Sequence, residues 1–383
     1  MSNSPTFARQ EIVHVVRQYA PGIGGLEEFV AKLAARQRNS FGSVRVVTCN
    51  RIFSRPDETL PSHEVIDGIQ VDRLAYHGSR RYPVMPGLLR AIETADLVHV
   101  HGIDFAFDAL AATRMLHRKP LVVTTHGGFF HTQSYATLKK IWFRTLTNLS
   151  ARAYRAVVCC SESDRATFAQ IAGDRVRLVL NGVDIEKFAG AASPTPVKRA
   201  VTLGRFSANK RLDLLLDLFA RLAADDPDWK LDVFGVAFDI SPADLEKMVT
   251  DRGLADHVRI GVGLSTEDIR KEIGNASYFL SASDYEGFGL ALIEAMSAGL
   301  VPLAQPNEAY RAFAAQHNTV TLTDFADTAS AAHDLQALHA RMAQDHATLR
   351  NAVMETVQQY SWSRTAKAYQ EIYRSCLAPD VAG

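Results

Sequence analysis

Short apolar runs alternate repeatedly with helical segments along this chain, and few folds accommodate that pattern. Runs at 12–16, 44–48, 97–101, 121–125, 156–160 and 176–180 are short and rich in β-branched or apolar residues. Strands of that kind are buried on both faces, which happens when helices cover both sides of a parallel sheet. Parallel neighbours also need a long crossover, usually a helix, and the intervening segments supply one. Several runs end in polar or glycine residues, namely His101-Gly102, His126-Gly127-Gly128, Ser161-Glu162 and Asn181-Gly182. Ligands of open α/β sheets gather at these carboxyl ends.

At 191–196 (Ala-Ala-Ser-Pro-Thr-Pro) the chain turns small and proline-rich, and the alternation then restarts with runs at 200–203, 231–234, 258–260, 278–280 and 301–304. A chain of 383 residues exceeds what one hydrophobic core usually supports. The pattern predicts two doubly wound α/β domains, 1–192 and 193–360, facing each other across a cleft. A last helix near 363–377, within a terminal segment 361–383, is expected to return to the first domain. Charge is balanced, 42 Lys+Arg against 42 Asp+Glu, so no long-range field marks a nucleic-acid binder. The four cysteines lack metal or redox spacing and read as reduced core thiols, as in a cytoplasmic protein. The first ten residues lack an apolar signal core, and no apolar run approaches the ~20 residues that span a bilayer.

Chemistry concentrates between Ser283 and Gly299. An apolar strand precedes this segment, Gly287, Phe288 and Gly289 form its turn, and Leu290 opens a helix. Glycines let a ligand approach the backbone closely, and the open N–H groups of a first helical turn favour a diphosphate. Glu286 lies just before the helix and Glu294 within it, so one carboxylate can meet a sugar and the other a ribose. Either glutamate alone reads more simply as a solvated acid; together, around two glycines after a buried strand, they read as a site.

A diphosphate also needs cations. The loop Gly204-Arg205-Phe206-Ser207-Ala208-Asn209-Lys210-Arg211 follows a strand and offers Arg205 and Lys210. Gly22 to Glu28 approximates a dinucleotide-binding fingerprint, but Glu27 stands where its third glycine belongs. Acids in that first turn repel a pyrophosphate, so Gly24 and Gly25 suit a sugar- or acceptor-facing loop, or a plain tight turn. His126 can orient a sugar hydroxyl, whereas His131 reads as structural. No His/Asp/Glu cluster shows metal-ligand spacing, so no metal is expected; Asp226-Pro227-Asp228 reads as a turn.

Leu138, Ile141, Trp142, Leu146 and Leu149 fall at helical spacing, with Lys139, Lys140, Arg144 and Arg152 among them. Such a helix either lies on an anionic membrane surface or packs on the sheet. Arg80 and Arg81 extend the same basic surface.

Glu286 to Glu294, with Gly204-Arg205 and Lys210, resembles the retaining glycosyltransferases of family four, over nearly the whole chain. Arg211 departs from it, since many relatives have glycine there. More narrowly, His14-Val15-Val16-Arg17-Gln18, Gly24-Gly25-Leu26-Glu27-Glu28, His101-Gly102-Ile103-Asp104-Phe105 and the run from Thr125 to His131 resemble bacterial α-mannosyltransferases of acetan and xanthan assembly. The resemblance implies the GT-B fold of two Rossmann-like domains and α-1,3 transfer of mannose from GDP-mannose to cellobiosyl-diphosphopolyprenol, a polyprenyl-diphosphate-linked disaccharide. It implies no cofactor or metal, and peripheral attachment at the inner face of the cytoplasmic membrane. Arg205 and Lys210 are implied to hold the diphosphate, Glu294 the ribose and Glu286 the donor sugar. His126 and Ser161 are implied to line the first domain's side. A nucleotide-sugar epimerase and a catalytically silent nucleotide-sugar sensor remain alternatives, the former distinguished by acting on the donor alone.

Overall fold

The computed structural model describes residues 9–22, 24–126 and 142–378. The chain forms two compact units, Met1–Gly182 with Trp362–Gly383, and Val183–Ser361.

The first unit is built on an eight-stranded sheet. Its order is Val176–Leu178, Ala156–Cys159, Leu121–Thr124, Leu97–His101, Glu11–Val16, Ser43–Cys49, Ile69–Leu74 and His63–Ile66. All neighbours are parallel except the last pair, which is antiparallel. Because side chains alternate along a strand, the continuous apolar runs feed two cores at once. On one face Ile12, Val46, Val122 and Val158 pack with Phe29, Val30 and Leu33 of the helix Gly25–Gln37. On the other, Val13, Val47, Val100, Val123 and Val157 pack with Phe107, Leu110 and Phe168. The helix Trp362–Leu377 joins the first face, burying Tyr369 and Tyr373 completely. Gly182 makes room for it: a Cβ there would stand 2.3 Å from the Trp362 ring.

The second unit has a six-stranded, wholly parallel sheet ordered Val258–Val262, Lys230–Ala237, Arg199–Phe206, Tyr278–Ser281, Val301–Ala304 and Thr321–Leu322. The division falls at 182/183, ahead of the proline-rich segment expected as a linker. That segment belongs to the second unit, because Ala192 N–H donates to Ala298 O (2.8 Å) and Ser193 N–H to Ala276 O (3.0 Å).

No strand is expected between 50 and 84, yet the chain forms His63–Ile66 and Ile69–Leu74 of the main sheet there, and the short pairs Arg51–Ile52 with Arg55–Thr59 and His77–Ser79 with Tyr82–Val84. All four cysteines are buried and free. Among the described residues no helix is long and apolar enough to cross a membrane.

Candidate functional site

In the second unit the strand Tyr278–Ser281 leads through a loop to the helix Leu290–Ala298. Gly289 is its N-cap, at φ +81°, where a side chain is strained. A Cβ at Gly289 would also stand 2.9 Å from the Tyr310 ring. With no side chain to cap the helix, the first backbone bond is Ile293 N–H to Gly289 O at 3.2 Å, so the preceding N–H groups have no intrahelical partner. Leu290 is half exposed at that terminus. Gly287 is exposed with open space where a Cβ would be, and the Phe288 ring meets Tyr360 edge-on at 5.8 Å.

The loop 207–211 is clamped to this turn through both ends of Asn209: its Nδ2 donates to Tyr285 O (2.9 Å) and its backbone O accepts from Asp284 N–H (3.0 Å). The clamp brings Lys210 Nζ within 2.6 Å of Glu286 Oε1, both side chains being at least four-fifths buried. Gly204, at φ +146°, lies under the lysine, for a Cβ there would be 3.1 Å from Lys210 Cε. Arg211 takes the left-handed conformation (φ +47°) and pairs with Asp213 (2.9 Å) and Asp284 (3.6 Å). It keeps the path favoured by glycine and uses its side chain to pin the loop. Arg205 is exposed, its guanidinium 4.5 Å above the Phe238 ring.

Two neighbours were not visible in the sequence. Lys187 Nζ lies 3.3 Å from Glu294 Oε2 although the residues are 107 positions apart. Tyr310 donates or accepts at Ser281 Oγ (3.0 Å), and burial together with the Glu286 charge raises its phenol well above the ordinary range. No local motif announces either one. Asn307, which caps the helix carrying Tyr310, also donates to Ser283 O at 2.9 Å and so fixes the turn from a third side.

In the first unit His126 follows the strand Leu121–Thr124, half buried and at φ +53°. Its Nε2 lies 3.0 Å from His101 Nδ1, and Phe29 meets its ring edge-on at 4.9 Å. Sequence spacing shows no metal-ligand cluster, but the fold brings three histidines together. Strand pairing sets His14 beside His99, and ligand atoms of His14, His99 and His101 lie within 4.8 Å of one another, all three buried. Sequence separation conceals such a group because parallel register, not local spacing, assembles it.

Ser161 accepts from Asp164 N–H (3.1 Å) and thus serves as the N-cap of the helix Glu162–Ala172. Gly24 is the N-cap of Gly25–Gln37 in extended conformation, and Glu27 folds back so that a Cβ on Gly24 would be 2.3 Å from its carboxylate. Gln18 holds that carboxylate at 3.0 Å. An acid therefore covers this helix terminus, and it is no anion cradle.

Of the basic stretch, Leu138, Lys139, Lys140 and Ile141 lie outside the described residues, as does His131. From 142 on, Phe143, Thr147, Ser150 and Ala151 are buried, whereas Trp142 and Leu149 are 42% and 64% exposed. The expected apolar stripe is thus rotated: two of its members face outward beside the exposed Arg144. Arg80 and Arg81 form the exposed turn of the hairpin His77–Val84. Asp108 joins the two basic elements, accepting from Tyr82 Oη (2.9 Å) and from Ser150 Oγ (2.6 Å).

Two family models match the chain: Glycosyltransferase Family 4 over residues 23–187 and Glycosyl transferases group 1 over residues 184–352. A GDP-mannose:cellobiosyl-diphosphopolyprenol alpha-mannosyltransferase of Xanthomonas oryzae is 41% identical over 96% of this chain and 97% of its own length. The protein of the same name from Komagataeibacter xylinus is 39% identical over 96% and 93%. A glycosyltransferase structure from Rickettsia africae superimposes with a TM-score of 0.72 over 97% of this chain and 100% of that one, at 16% identity. The fold is GT-B, with two Rossmann-like domains. With both halves matched in order and near-full-length identity of this size, the chain is a glycosyltransferase and belongs to family 4.

Proposed function

We propose that the protein transfers mannose, with retention, from GDP-mannose to cellobiosyl-diphosphopolyprenol, forming an α-1,3 linkage during assembly of an exopolysaccharide repeat unit. One observation carries the reaction class: Lys210 Nζ is poised 2.6 Å from Glu286 beside a helix terminus with open N–H groups. This arrangement suits a ligand that combines hydroxyls with a diphosphate. The substrates rest on the two relatives of that name, 41% and 39% identical over nearly the full length.

Before donor binds, Lys210 and Glu286 neutralise each other. An arriving diphosphate competes for the ammonium, joined by Arg205 and the N–H groups of 290–292, while Glu286 turns to hydroxyls of the mannose ring. Glu294 and Lys187 hold the ribose. As the glycosidic bond breaks, negative charge grows on the diphosphate, and preorganised cations and N–H dipoles stabilise that charge more than the ground state. Cations of the chain itself do this work, so the reaction requires no metal. Glu286, engaged by hydroxyls of the mannose ring once donor is bound, is not free to act as the nucleophile. The acceptor hydroxyl therefore attacks from the face the diphosphate leaves and gives its proton to a diphosphate oxygen. His126 orients a sugar hydroxyl from the first unit. Trp142, Leu149, Arg144, Arg80 and Arg81 seat that unit on the anionic inner face of the membrane, where the lipid-linked acceptor resides.

Radiolabelled transfer to cellobiosyl-diphosphopolyprenol from a panel of nucleotide sugars tests the reading. Label should enter from GDP-mannose alone. Incorporation from UDP-glucose but not GDP-mannose would refute it.

A further inference from the structure

The histidines of the first unit form a directed hydrogen-bond chain that begins on Gln37. His14 Nε2 lies 2.8 Å from Gln37 Oε1. A carbonyl oxygen only accepts, so the His14 proton sits on Nε2 and Nδ1 carries a lone pair. His14 Nδ1 lies 2.9 Å from His101 Nε2, which must therefore donate. That leaves His101 Nδ1 as an acceptor, and it lies 3.0 Å from His126 Nε2, which must donate in turn. One amide oxygen thus orders every proton along the chain, provided each ring is neutral. Burial keeps them so: it lowers His14 to about 4 and His126 to about 3, and takes His101 well below the ordinary range.

We propose that Gln37, His14 and His101 are positioning residues that hold His126 in the Nε2–H tautomer, so that its Nδ1 offers a lone pair to a substrate hydroxyl. The step from tautomer to catalysis rests on the reading of His126 as the residue that orients a sugar hydroxyl. A neutral imidazole of the opposite tautomer would present N–H there and would select a different hydroxyl orientation. His14 and His101 are wholly buried, where an unpaired imidazole nitrogen is costly, and the chain gives each nitrogen a partner.

The same group has the compactness of a transition-metal site, but its hydrogen bonding is complete. His99, the third member, meets Tyr373 Oη (2.5 Å) through Nδ1 and Thr124 Oγ1 (2.8 Å) through Nε2. An ion would have to break bonds at each ring, so the chain and not a metal accounts for the geometry.

The test is long-range 1H–15N correlation of the imidazoles in 15N-histidine-labelled full-length protein at pH 7, assigned with single His→Gln variants. His14, His101 and His126 should all be neutral with the proton on Nε2. A proton on Nδ1 of His101 or His126 would mean the amide faces the other way, and would overturn the proposal. So would tight retention of one Zn2+ that shifts the His14, His99 and His101 signals. In Gln37→Met the anchor is gone: His126 should become a mixture of tautomers and kcat/KM for transfer should fall about tenfold, the scale of one lost hydrogen bond. Retained Nε2–H at His126 with unchanged kcat/KM in that variant would also overturn it. His126→Ala separates the two readings. Unaltered transfer there removes the catalytic role of His126 while the tautomers of the unaltered protein still judge the chain.

Discussion

Lys210 Nζ and Glu286 Oε1, brought from different loops of the second unit, stand 2.6 Å apart. On the proposed reading the pair is a switch of partners: each member would give up the other when donor arrives. If Lys210 stabilises the leaving diphosphate, Lys210→Ala removes that cation. Loss of one preorganised group of this kind costs about 10²–10³-fold in kcat. Single-turnover transfer with saturating GDP-mannose measures it, and a change confined to KM would show that Lys210 contributes only to ground-state binding.

Glu286→Gln keeps the shape but leaves Lys210 uncompensated in the empty site. If Glu286 grips hydroxyls and is not the nucleophile, the variant should lose activity yet form the same α-anomer, and no mannosyl-enzyme should accumulate. Mass spectrometry of the unaltered enzyme quenched during turnover checks this; a mannosyl adduct on Glu286 would establish double displacement instead.

Glu294 and Lys187 meet at 3.3 Å. Lys187→Met should raise the KM for GDP-mannose about tenfold with little change in kcat, because a charged hydrogen bond contributes about 1.5–3 kcal/mol and the ribose lies away from the breaking bond. An equal fall in kcat would place the pair in the transition state's surroundings.

The sequence displayed what is encoded locally. Short runs rich in apolar and β-branched residues such as 121–125 announced two-sided burial, and Val122 and Val123 do enter opposite cores. The turn from Glu286 to Gly289 was readable because glycine spacing and a helix start are adjacent in the chain. What escaped was assembled by tertiary register. Lys187, Tyr310 and Gln37 reach their partners only after the sheets form, and His14, His99 and His101 come together because parallel strands align them. Short hairpins such as that of Arg80 and Arg81 escaped too, since edge pairs need few apolar residues.

Gly289→Ala is a test of how firmly the turn is built. A side chain at φ +81° costs about 1–2 kcal/mol, and the added methyl would press on Tyr310 at 2.9 Å. The melting temperature should drop roughly 2–8 °C, and GDP-mannose binding should weaken. Calorimetry with and without GDP measures both; unchanged values would mean that the turn relaxes freely.

Acid should destabilise the first unit. His14 titrates near 6.5 when unfolded but near 4 when folded, and His126 near 3, with burial the main cause and Arg17 adding to the shift at His126. His99 and His101 shift the same way, through burial and the other histidines. Between those values the unfolded chain binds more protons, so this stability is complete above about pH 6.5 and declines as pH falls towards 4. Asp104, raised to about 6 by burial, and Asp108, also raised by burial, work in the opposite direction. Four histidines outnumber the two carboxyls, so on balance stability is lost as pH falls through this range. Thermal melts at pH 7.5, 6 and 5 should fall in that order, and His14→Gln should flatten the trend. A melting temperature unchanged between pH 7.5 and 5 would contradict the neutral, buried chain.

Trp142 and Leu149 are exposed beside Arg144, and Asp108 ties their segment to the hairpin of Arg80 and Arg81. Water gains nothing from an exposed tryptophan and leucine, whereas an interfacial helix buries such residues while arginines meet anionic headgroups. Each basic residue near an anionic surface contributes about 1 kcal/mol, so replacing Arg80, Arg81 and Arg144 by Gln should lower vesicle partitioning about a hundredfold. Trp142→Ala should weaken binding in high salt as well, because its contribution is apolar and not screened. Sedimentation with phosphatidylglycerol-containing and purely zwitterionic vesicles separates the two terms. Equal binding of the unaltered protein to both would remove the electrostatic part, and transfer to a detergent-soluble acceptor should persist in every one of these variants, since none of the replaced side chains handles the sugar.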